Sequence, residues 1–383
     1  MKQVYIIASL FVCASIMQGC SNKRSVDGNV EVIPIDFDKS EKVSMGDIFS
    51  HIEVISLEES LDAYLKDNEE IYIQNNNYYI KDHQTLFVFD SLGNLKYNTR
   101  NRYGRGSNEY FSMNGYFIEK NGDISIMDWN GKILRYDPSL NLKESYKVPL
   151  KGVDYYDDIF QIDDDILVLS TSPSKNDSVY WNFYSISKRK IVGSYIKELR
   201  TDGIRYGGSA NYIRNDNQVL FRAQNNGYSL YRVNPGNYTI EEAYRYEPLK
   251  DKFDPSKVDA SETTAEYLDK HSNEFIYLKY LKMSNKYIVS ILGNSDNIES
   301  VICFYSLEDG RTRLINRRFN NEKFISMDYL DDSAIYFIPY SFEGIENAYD
   351  DSLLDEDSRN RLKNVNDDTN ALIFKYYLRD DIL

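Results

Sequence analysis

Cysteine is scarce in this chain. Only Cys13, Cys20 and Cys303 occur among 383 residues. Cys13 and Cys20 lie in an N-terminal segment in which we expect the first to be removed and the second to be modified. Cys303 is then the only free thiol, so no disulfide framework can form within one mature chain. Cys303 lies in the apolar stretch VICFYSL. A lone cysteine on a strand is more often a small buried hydrophobe than a reactive thiol, and we expect Cys303 to be buried.

Histidine is equally rare, and its three copies, His51, His83 and His271, are far apart in the sequence. Without an i, i+4 pair or a CxxC motif, the chain shows no pattern of metal ligands, and no cofactor is indicated. The motif G-x-S-x-G is also missing, which argues against a serine hydrolase with a nucleophile elbow. Acidic turns such as DDDI (163–166) and YDDS (349–352) are usually solvated. A hydrolase or lyase that uses a metal or a carboxylate pair stays open as an alternative, because acids occur throughout the chain.

A basic surface is not indicated either. Asp and Glu outnumber Lys and Arg by 60 to 45, which gives a formal net charge of −15 spread along the chain. Proteins that bind nucleic acid normally present a basic face, so we predict no nucleic-acid partner. The same balance argues against docking of the folded domain on anionic lipid. The simplest interpretation is an acidic, solvated surface.

Aromatic residues are abundant, with 34 Tyr and 18 Phe. Aromatic and β-branched stretches separated by Asn, Asp, Gly and Ser clusters favour an all-β fold. The phrase TLFVFDSLGNLKY at 85–97 returns 47 residues later as KILRYDPSLNLKE at 132–144. A period in the forties built from strand–turn–strand units is typical of the blades of a β-propeller. Fainter copies follow at 179–191, 228–240, 301–313 and 372–383.

One aromatic residue stands at the same place in each copy of the repeat. The spacings between successive copies are 47, 48, 47, 74 and 71 residues. The two longest contain 258–272 and 342–364, where strand alternation is lost and the composition favours helix or loop. We therefore predict a six-bladed β-propeller with two helical or loop insertions in its last blades. The six anchor residues are Phe89, Tyr136, Tyr184, Tyr231, Tyr305 and Tyr376.

The second insertion, 342–364, has an amphipathic pattern in which Leu353, Leu354 and Leu362 are interrupted by acids. It could cap one face of the central channel or dock a partner. A segment packed on the surface as decoration is the simpler interpretation.

The first nineteen residues, MKQVYIIASLFVCASIMQG, have the layout of an export signal. Lys2 supplies the charge, and the apolar run that follows it is too short to span a membrane comfortably. Because Gly19 precedes Cys20, the segment resembles a bacterial lipoprotein signal, in which the Cys becomes the first mature residue and carries lipid. Met17 and Gln18 depart from the usual residues of that signal, and a secretory signal without lipid is the alternative.

The chain divides into three predicted parts. They are a signal peptide at 1–19, a lipidated cysteine with a tether at 20–40, and the propeller at 41–383. Several acyl chains on one cysteine would hold the protein firmly on a membrane. Within these parts, VEVIPIDF (30–37) predicts a strand, and 43–58 predicts a short helix followed by a strand.

The chain reads SMGDIFSHIEVISLEES at 44–60, LFVFDSLGNL at 86–95 and RYGRGSNEY at 102–110. These stretches resemble the six-bladed β-propeller lipoproteins of Bacteroidetes, a group of NHL/TolB-like propellers. Proteins of that group have similar segments of the types I-E-Y-I-P-L-E, F-D-x-x-G-K and G-x-G-P-x-E-Y. Ser107 stands where they usually have Pro. The ending NALIFKYYL (370–378) resembles their closing strand.

This resemblance implies an exported, lipid-anchored propeller in the cell envelope, with the outer membrane as its expected location. It also implies a binding protein without catalytic activity, whose partner is a glycan, a peptide or a co-encoded envelope protein. Surface-exported lipoproteins of this group carry acidic residues soon after the lipidated cysteine. Here the residues after Cys20 are Ser-Asn-Lys-Arg, which favours the periplasmic side.

The densest candidate for ligand binding is RNRYGRGSNEYF at 100–111, between two predicted blades. Loops on rigid blades often carry binding groups, and arginine clusters grip carboxylate or sulfate through paired hydrogen bonds. A structural role is the alternative, in which Gly104 and Gly106 adopt positive φ and Glu109 pairs with an arginine. No third Gly or Lys-Ser/Thr follows, so the segment is not a phosphate-binding loop. The candidate residues are Arg100, Arg102, Tyr103, Arg105, Glu109 and Tyr110.

The chain has only two tryptophans, and their surroundings differ. Trp129 follows Asp128 in a predicted turn, which suggests an exposed ring that could stack on a sugar. Trp181 alternates with Tyr180 and Phe183 in a predicted strand. We therefore expect Trp129 to be a ligand-binding candidate and Trp181 to be buried between blades.

Overall fold

The computed structural model describes most of the chain from residue 30 onward. The described residues are 25–27, 30–66, 68–150, 153–170, 178–198, 212–215, 218–222, 228–234, 236–251, 270–271, 274, 276–294, 300–320, 323, 325–339, 342–366 and 369–383. The predicted signal peptide (1–19), Cys20 and most of the predicted insertion at 258–272 lie outside this set. Within it, we find no helix with the length and apolar character needed to cross a bilayer.

Short strands dominate the described residues. In chain order they are β1 (Ser25–Asp27), β2 (Val30–Ile35), β3 (Phe49–Ser56), β4 (Asn68–Gln74), β5 (Asn77–Asp82), β6 (Thr85–Asp90), β7 (Leu95–Asn98), β8 (Gly115–Ile118), β9 (Ile124–Met127), β10 (Lys132–Tyr136), β11 (Leu142–Lys147), β12 (Asp158–Gln161), β13 (Ile166–Ser170), β14 (Ser178–Ser185), β15 (Lys190–Glu198), β16 (Tyr212–Arg214), β17 (Val219–Arg222), β18 (Ser229–Val233), β19 (Ile240–Pro248), β20 (Tyr277–Met283), β21 (Tyr287–Gly293), β22 (Ser300–Ser306), β23 (Thr312–Asn316), β24 (Tyr329–Leu330), β25 (Ala334–Phe337) and β26 (Leu372–Leu378). The helices are α1 (Phe342–Asn347) and α2 (Glu356–Lys363), with short 3₁₀ turns at Phe37–Lys39, Met45–Asp47, Arg100–Arg102 and Asp351–Leu353.

The strands form six sheets, which are the blades of a six-bladed β-propeller. Blades 1 to 5 consist of β4–β7, β8–β11, β12–β15, β16–β19 and β20–β23, and blade 6 combines β24–β26 with β3. First strands of neighbouring blades contact one another around the central channel, and the fourth strands lie outermost. The predicted all-β, six-bladed fold is confirmed. Each of the six anchor aromatics lies in the third strand of its own blade.

Burial explains why the repeat is visible in the sequence. The third strand of a blade is covered on both faces by neighbouring blades, as in β22, where every residue is buried. The outermost strand β11 instead alternates between half-buried and exposed residues. Strands covered on both faces read as continuous apolar runs, and strands with one solvated face alternate. Cys303 in β22 is fully buried, as expected, and burial raises the pKa of its thiol to about 12.

The ring is closed by a strand from the beginning of the chain. Strand β3 pairs antiparallel with β26 and becomes the outermost strand of blade 6. Before it, β2 pairs in parallel with β19 and adds a further strand to blade 4. Residues 30–35 therefore belong to the propeller, and the predicted tether at 20–40 was drawn too long. The predicted strand at 30–37 and the short helix and strand at 43–58 are confirmed.

The second insertion folds as α1, a 3₁₀ turn and α2, which confirms helix at 342–364. Leu354 is buried and forms an isolated bridge with Ile52 of β3, while Leu353 and Leu362 are partly buried against the same core. The insertion thus packs along the outer edge of blade 6, as the decoration interpretation predicts. Its described residues do not line the channel cavity, so capping of the channel is not supported.

Strand direction gives the propeller two different faces. The first four strands of each blade are antiparallel, so each connection from a fourth strand to the next first strand emerges on the same side as the turns between second and third strands. We call this side the crossing face. Turns between first and second strands emerge on the opposite side, which we call the hairpin face. Propellers carry their binding groups on such loops because the blades beneath are rigid.

Candidate functional site

The segment 99–114 connects β7 of blade 1 to β8 of blade 2, as predicted. The amide of Tyr110 donates to the carbonyl of Arg102 at 2.9 Å, and the amide of Gly104 donates to the carbonyl of Tyr110 at 2.9 Å. These bonds fold the segment back on itself. The crossing is therefore a defined loop whose two arms are joined by backbone hydrogen bonds.

The Glu109 carboxylate fills the inside of this loop and explains its glycines. Its Oε2 accepts a 2.7 Å hydrogen bond from the amide of Gly106. A Cβ added at Gly104 would collide with the same oxygen. Neither glycine has positive φ, and Glu109 forms no ion pair with an arginine among the described residues. The predicted roles of positive φ and of an Arg–Glu109 pair are therefore wrong; the glycines make room for a carboxylate that binds backbone.

The three predicted arginines have different neighbours. The Arg100 guanidinium lies 3.8 Å from Asp62 and 5.6 Å from the centre of the Phe87 ring. Arg105 stacks over Phe111 at 4.9 Å. Arg102 is half-buried, and its Nε finds no acceptor among the described residues. The three guanidinium groups therefore do not meet at one point. Of the three, Arg105 is the one that lies beside an exposed aromatic ring.

Tyr110 is completely buried. Its hydroxyl lies 2.7 Å from the hydroxyl of Thr99 and donates to the carbonyl of Gln84 at 2.6 Å. Burial raises the pKa of Tyr110 above its usual value, with the Thr99 hydrogen bond opposing in part. The side chain therefore has no surface for a ligand, and it ties the crossing to the body of the blade.

Four large aromatic side chains are exposed on the crossing face near this loop. Tyr103, Phe111, Trp129 and Tyr155 are 48%, 43%, 51% and 48% exposed. The rings of Tyr103 and Phe111 stack with centroids 6.3 Å apart and an interplanar angle of 13°. We call these four residues the aromatic platform. Trp129 is exposed, as predicted, whereas Phe111 and Tyr155 were not among the candidates proposed from the sequence. Phe111 could have been found, because it follows the buried Tyr110 and adjacent residues in an extended chain point to opposite sides.

Asp128 holds the Trp129 turn against the crossing. Its carboxylate accepts hydrogen bonds from the amide of Phe111 at 3.0 Å and from the hydroxyl of Ser112 at 2.8 Å. The amide of Trp129 lies within 2.9 Å of the Ser112 oxygen. Lys132 adds bonds to two carbonyls of the crossing. The backbone beneath the platform is thus fixed by side-chain hydrogen bonds in addition to the backbone bonds across the loop.

Trp181 has the buried position expected for it. Its ring is fully buried and lies 5.3 Å from the ring of Phe221 in blade 4 and 5.6 Å from that of Tyr195 in its own blade. It packs blade 3 against blade 4 and has no exposed surface for a ligand.

A second candidate site opens on the hairpin face. There the channel widens into a cavity of about 890 Å³. First strands and their turns from several blades supply the walls. The charged and aromatic residues of the lining are Glu70, Tyr72, Lys120, Asp163, Asp164, Tyr212, Arg214, Arg232, Lys282 and Tyr329. No residue of this cavity was proposed from the sequence, because each lies in a strand or turn of ordinary appearance.

Residues 30–377 match the family described as domain of unknown function DUF4934. The chain belongs to this family. No curated protein is similar enough to the DUF4934 chain to count as a match.

Solved structures support the propeller fold of the DUF4934 chain. It is similar to a Bacteroides fragilis protein described as a candidate exported protein, with a TM-score of 0.66 and 17% identity over 91% of this chain and 99% of that one. Weaker likenesses include the Pan2 WD40 domain of Neurospora crassa, with a TM-score of 0.40, 7% identity and coverage of 81% and 75%. BamB of Moraxella catarrhalis has a TM-score of 0.37, 9% identity and coverage of 75% and 72%.

A pair of carboxyl groups lies deeper in the channel of the DUF4934 propeller. Burial, and after it the neighbouring Glu70, raises the pKa of Asp158 well above its usual value. Tyr116 stands close to both, is buried, and has a hydroxyl without a partner among the described residues. A carboxyl whose pKa is raised in this way is better suited to donate a proton to a ligand.

Metal ligands do not cluster in the described part of the chain. No group of three or more His, Cys, Asp or Glu side chains within it could hold an ion. His51 stacks on Tyr377 at 4.0 Å, and His271 pairs with Glu274 at 3.0 Å. These two histidines therefore contact neighbours on different parts of the propeller.

Proposed function

We propose that this protein is a non-catalytic binding protein whose aromatic platform binds a saccharide. The observation that carries the proposal is the platform itself: four exposed aromatic side chains on one face, two of them stacked, above a backbone fixed by Asp128. Tyr103 and Phe111 form an exposed stacked pair, and exposed apolar patches mark interaction sites more often than single exposed residues do.

The chemistry of the platform fits a sugar better than a fully apolar partner. A sugar ring has an apolar face of C–H groups and a rim of hydroxyls, so it needs a flat ring beneath it and polar groups beside it. Tyr103, Phe111 and Trp129 supply rings, and the Arg105 guanidinium stacked on Phe111 supplies donors. Because the loop is already tied down by hydrogen bonds, little ordering entropy is lost on binding.

We also propose that the protein is exported and anchored through lipid on Cys20, on the periplasmic side of the outer membrane. The apolar segment before Cys20 and the Ser-Asn-Lys-Arg that follows support this. The candidate exported protein of similar fold is compatible with it. A Cys20→Ala variant should appear in the soluble fraction, whereas unchanged membrane association would contradict lipidation. Cleavage by protease added to intact cells would overturn the periplasmic placement.

Calorimetry with purified residues 21–383 and neutral oligosaccharides tests the platform. Trp129→Ala and Phe111→Ala should each weaken binding at least tenfold, which corresponds to about 1.4 kcal/mol. Tyr64→Ala is the matched control, because Tyr64 is an exposed aromatic at another inter-blade crossing. Binding that survives both platform variants places the site elsewhere. Binding of peptides but of no saccharide makes the saccharide assignment wrong.

One observation favours a second candidate, a hydrolase or lyase that acts in the channel. It is the raised pKa of Asp158 beside Glu70, which would suit a general acid. Purified protein should then release product from chromogenic glycosides or polysaccharides, and Asp158→Asn should abolish that release. Activity that is unchanged in Asp158→Asn would exclude this mechanism.

A further inference from the structure

We propose that the hairpin-face cavity is a second, independent binding site, specific for a small ligand that carries an oxyanion group: a carboxylate, a sulfate or a phosphate. The residues that would grip this group are Arg214, Arg232 and Lys282. All three line the cavity, which opens on the face opposite the aromatic platform.

The charge of the cavity is opposite to that of the protein. The lining holds four cations, Lys120, Arg214, Arg232 and Lys282, against three carboxylates, Glu70, Asp163 and Asp164. Lys120, Asp163 and Asp164 are exposed in turns, so the less exposed part of the lining has three cations and only Glu70. The whole chain carries a net charge of −15. A local excess of positive charge inside an acidic protein attracts anions into the cavity, because low-dielectric walls focus the field.

None of the three cations has a carboxylate within salt-bridge distance among the described residues. Arg214 rests on the face of the Tyr72 ring, 4.4 Å from its centre, which leaves the edge of the guanidinium for hydrogen bonds. The Nε of Arg232 is buried without an acceptor in the described part of the chain. Lys282 feels Glu70 and Asp328 only at longer range.

Burying cations without a carboxylate partner is unfavourable, although Tyr72 offsets part of this cost for Arg214. An uncompensated cation inside a protein loses hydration, and pairing with an anion recovers part of that loss. Burial lowers the pKa of Lys282, and Glu70 and Asp328 offset this only in part. An oxyanion beside Lys282 would therefore stabilise its protonated form, and an oxyanion beside either arginine would accept hydrogen bonds from its guanidinium.

The size and walls of the cavity fit a small molecule. Its volume of about 890 Å³ lies within the range of small-ligand sites. The Tyr72 ring is fixed by an edge contact of 5.9 Å with Tyr329 and by a 3.2 Å hydrogen bond to Gln74. Tyr212 stacks on Phe160 at 4.0 Å. The walls beside the cations are thus immobile and aromatic.

Calorimetry with sulfate, inorganic phosphate, glucuronate and glucose, at ionic strength held constant with chloride, tests this proposal. We expect at least one of the three anions to bind and neutral glucose not to bind. Arg214→Met and Lys282→Gln should each lower the affinity at least tenfold. Lys147→Gln is the matched control, since Lys147 is exposed on the outer strand of blade 2. Glucuronate binding alone would identify a carboxylate ligand, and sulfate or phosphate binding alone would identify the inorganic group.

Thermal unfolding separates a ligand role from a structural one. In the absence of anion, Lys282→Gln should unfold at the same temperature as the wild type or higher, while the rise in Tm that the anion gives to the wild type should vanish. The Trp129→Ala variant should keep the anion affinity of the wild type, because the platform lies on the other face. The proposal is overturned if none of the anions binds, or if they bind the cavity variants and the wild type equally, as an adventitious ion would.

Discussion

The hydroxyl oxygen of Ser358 accepts a 2.9 Å hydrogen bond from the backbone amide of Val54, although 304 positions separate the two residues. The guanidinium of Arg361 donates to the carbonyl of the same Val54. Val54 lies in β3, the strand that closes the ring as the outer edge of blade 6. An uncovered edge strand invites pairing with other chains, so α2 stabilises the closure and also shields it.

The first prediction concerns Ser358. Ser358→Ala should lower the free energy of unfolding by about 1–3 kcal/mol, since it leaves the Val54 amide buried without an acceptor. Chemical denaturation of the variant and the wild type measures the difference. Ser139→Ala, at an exposed turn, is the control and should be close to neutral. Equal stability of Ser358→Ala and the wild type would contradict a role of the insertion in closing the ring.

The second prediction concerns the crossing loop. Gly104→Ala should destabilise the protein by about 0.5–1.5 kcal/mol, because the added methyl group displaces the Glu109 carboxylate from the amide of Gly106. In Gly104→Ala combined with Glu109→Ala the additional loss should be smaller, since the colliding group is gone. A double-mutant cycle from denaturation curves measures this coupling. Strict additivity of the two substitutions would show that the glycine serves another purpose.

The third prediction concerns Asp158 and pH. Burial and Glu70 raise the pKa of Asp158 in the folded protein above its unfolded value. The folded state therefore holds a proton that the unfolded state releases, and this contribution to stability is lost as pH rises through the folded pKa. Asp158→Asn cannot ionise and keeps the acceptor for the amide of Ile159.

The expected result is a stability gap that depends on pH. Asp158→Asn should be more stable than the wild type at pH 8, and the gap should shrink as the pH falls toward the unfolded pKa of about 4. Denaturation curves at several pH values measure it. Asp164→Asn, in an exposed turn, should give no comparable gap. A gap that does not change with pH would show that Asp158 is not held protonated.

The fourth prediction concerns Lys282. Burial lowers the pKa of Lys282 in the folded protein below the ordinary value of a lysine side chain. Between the folded and unfolded pKa values the unfolded state binds more protons, so the stability of the anion-free wild type should rise with pH across this window. Lys282→Met should lack this rise. Unfolding curves below pH 10 measure the slope, and identical slopes for variant and wild type would contradict the burial of an unpaired ammonium.

Much of the fold could be predicted from the sequence because each blade repeats one environment. Phe89 and Tyr136 are buried at equivalent places in the third strands of blades 1 and 2, so the repeat can be counted. The closure of the ring could not be predicted in detail. Pairing of β2 with β19 joins segments more than 200 residues apart, and no local pattern encodes such a partner.

The composition of the two candidate sites depends far more on tertiary structure than the blade count does. Tyr103 and Tyr110 are the same residue type in one loop, yet one is 48% exposed and the other fully buried. Backbone bonds across the crossing decide which ring faces solvent. The cations of the cavity are harder still to predict from the sequence, since Arg214 and Lys282 come from different blades. The repeat period, the number of blades and the position of the inter-blade crossing follow from the sequence. Which aromatic rings are exposed, and which charged residues share a cavity, follow only from the packing of the blades, because both depend on residues that are distant in the chain.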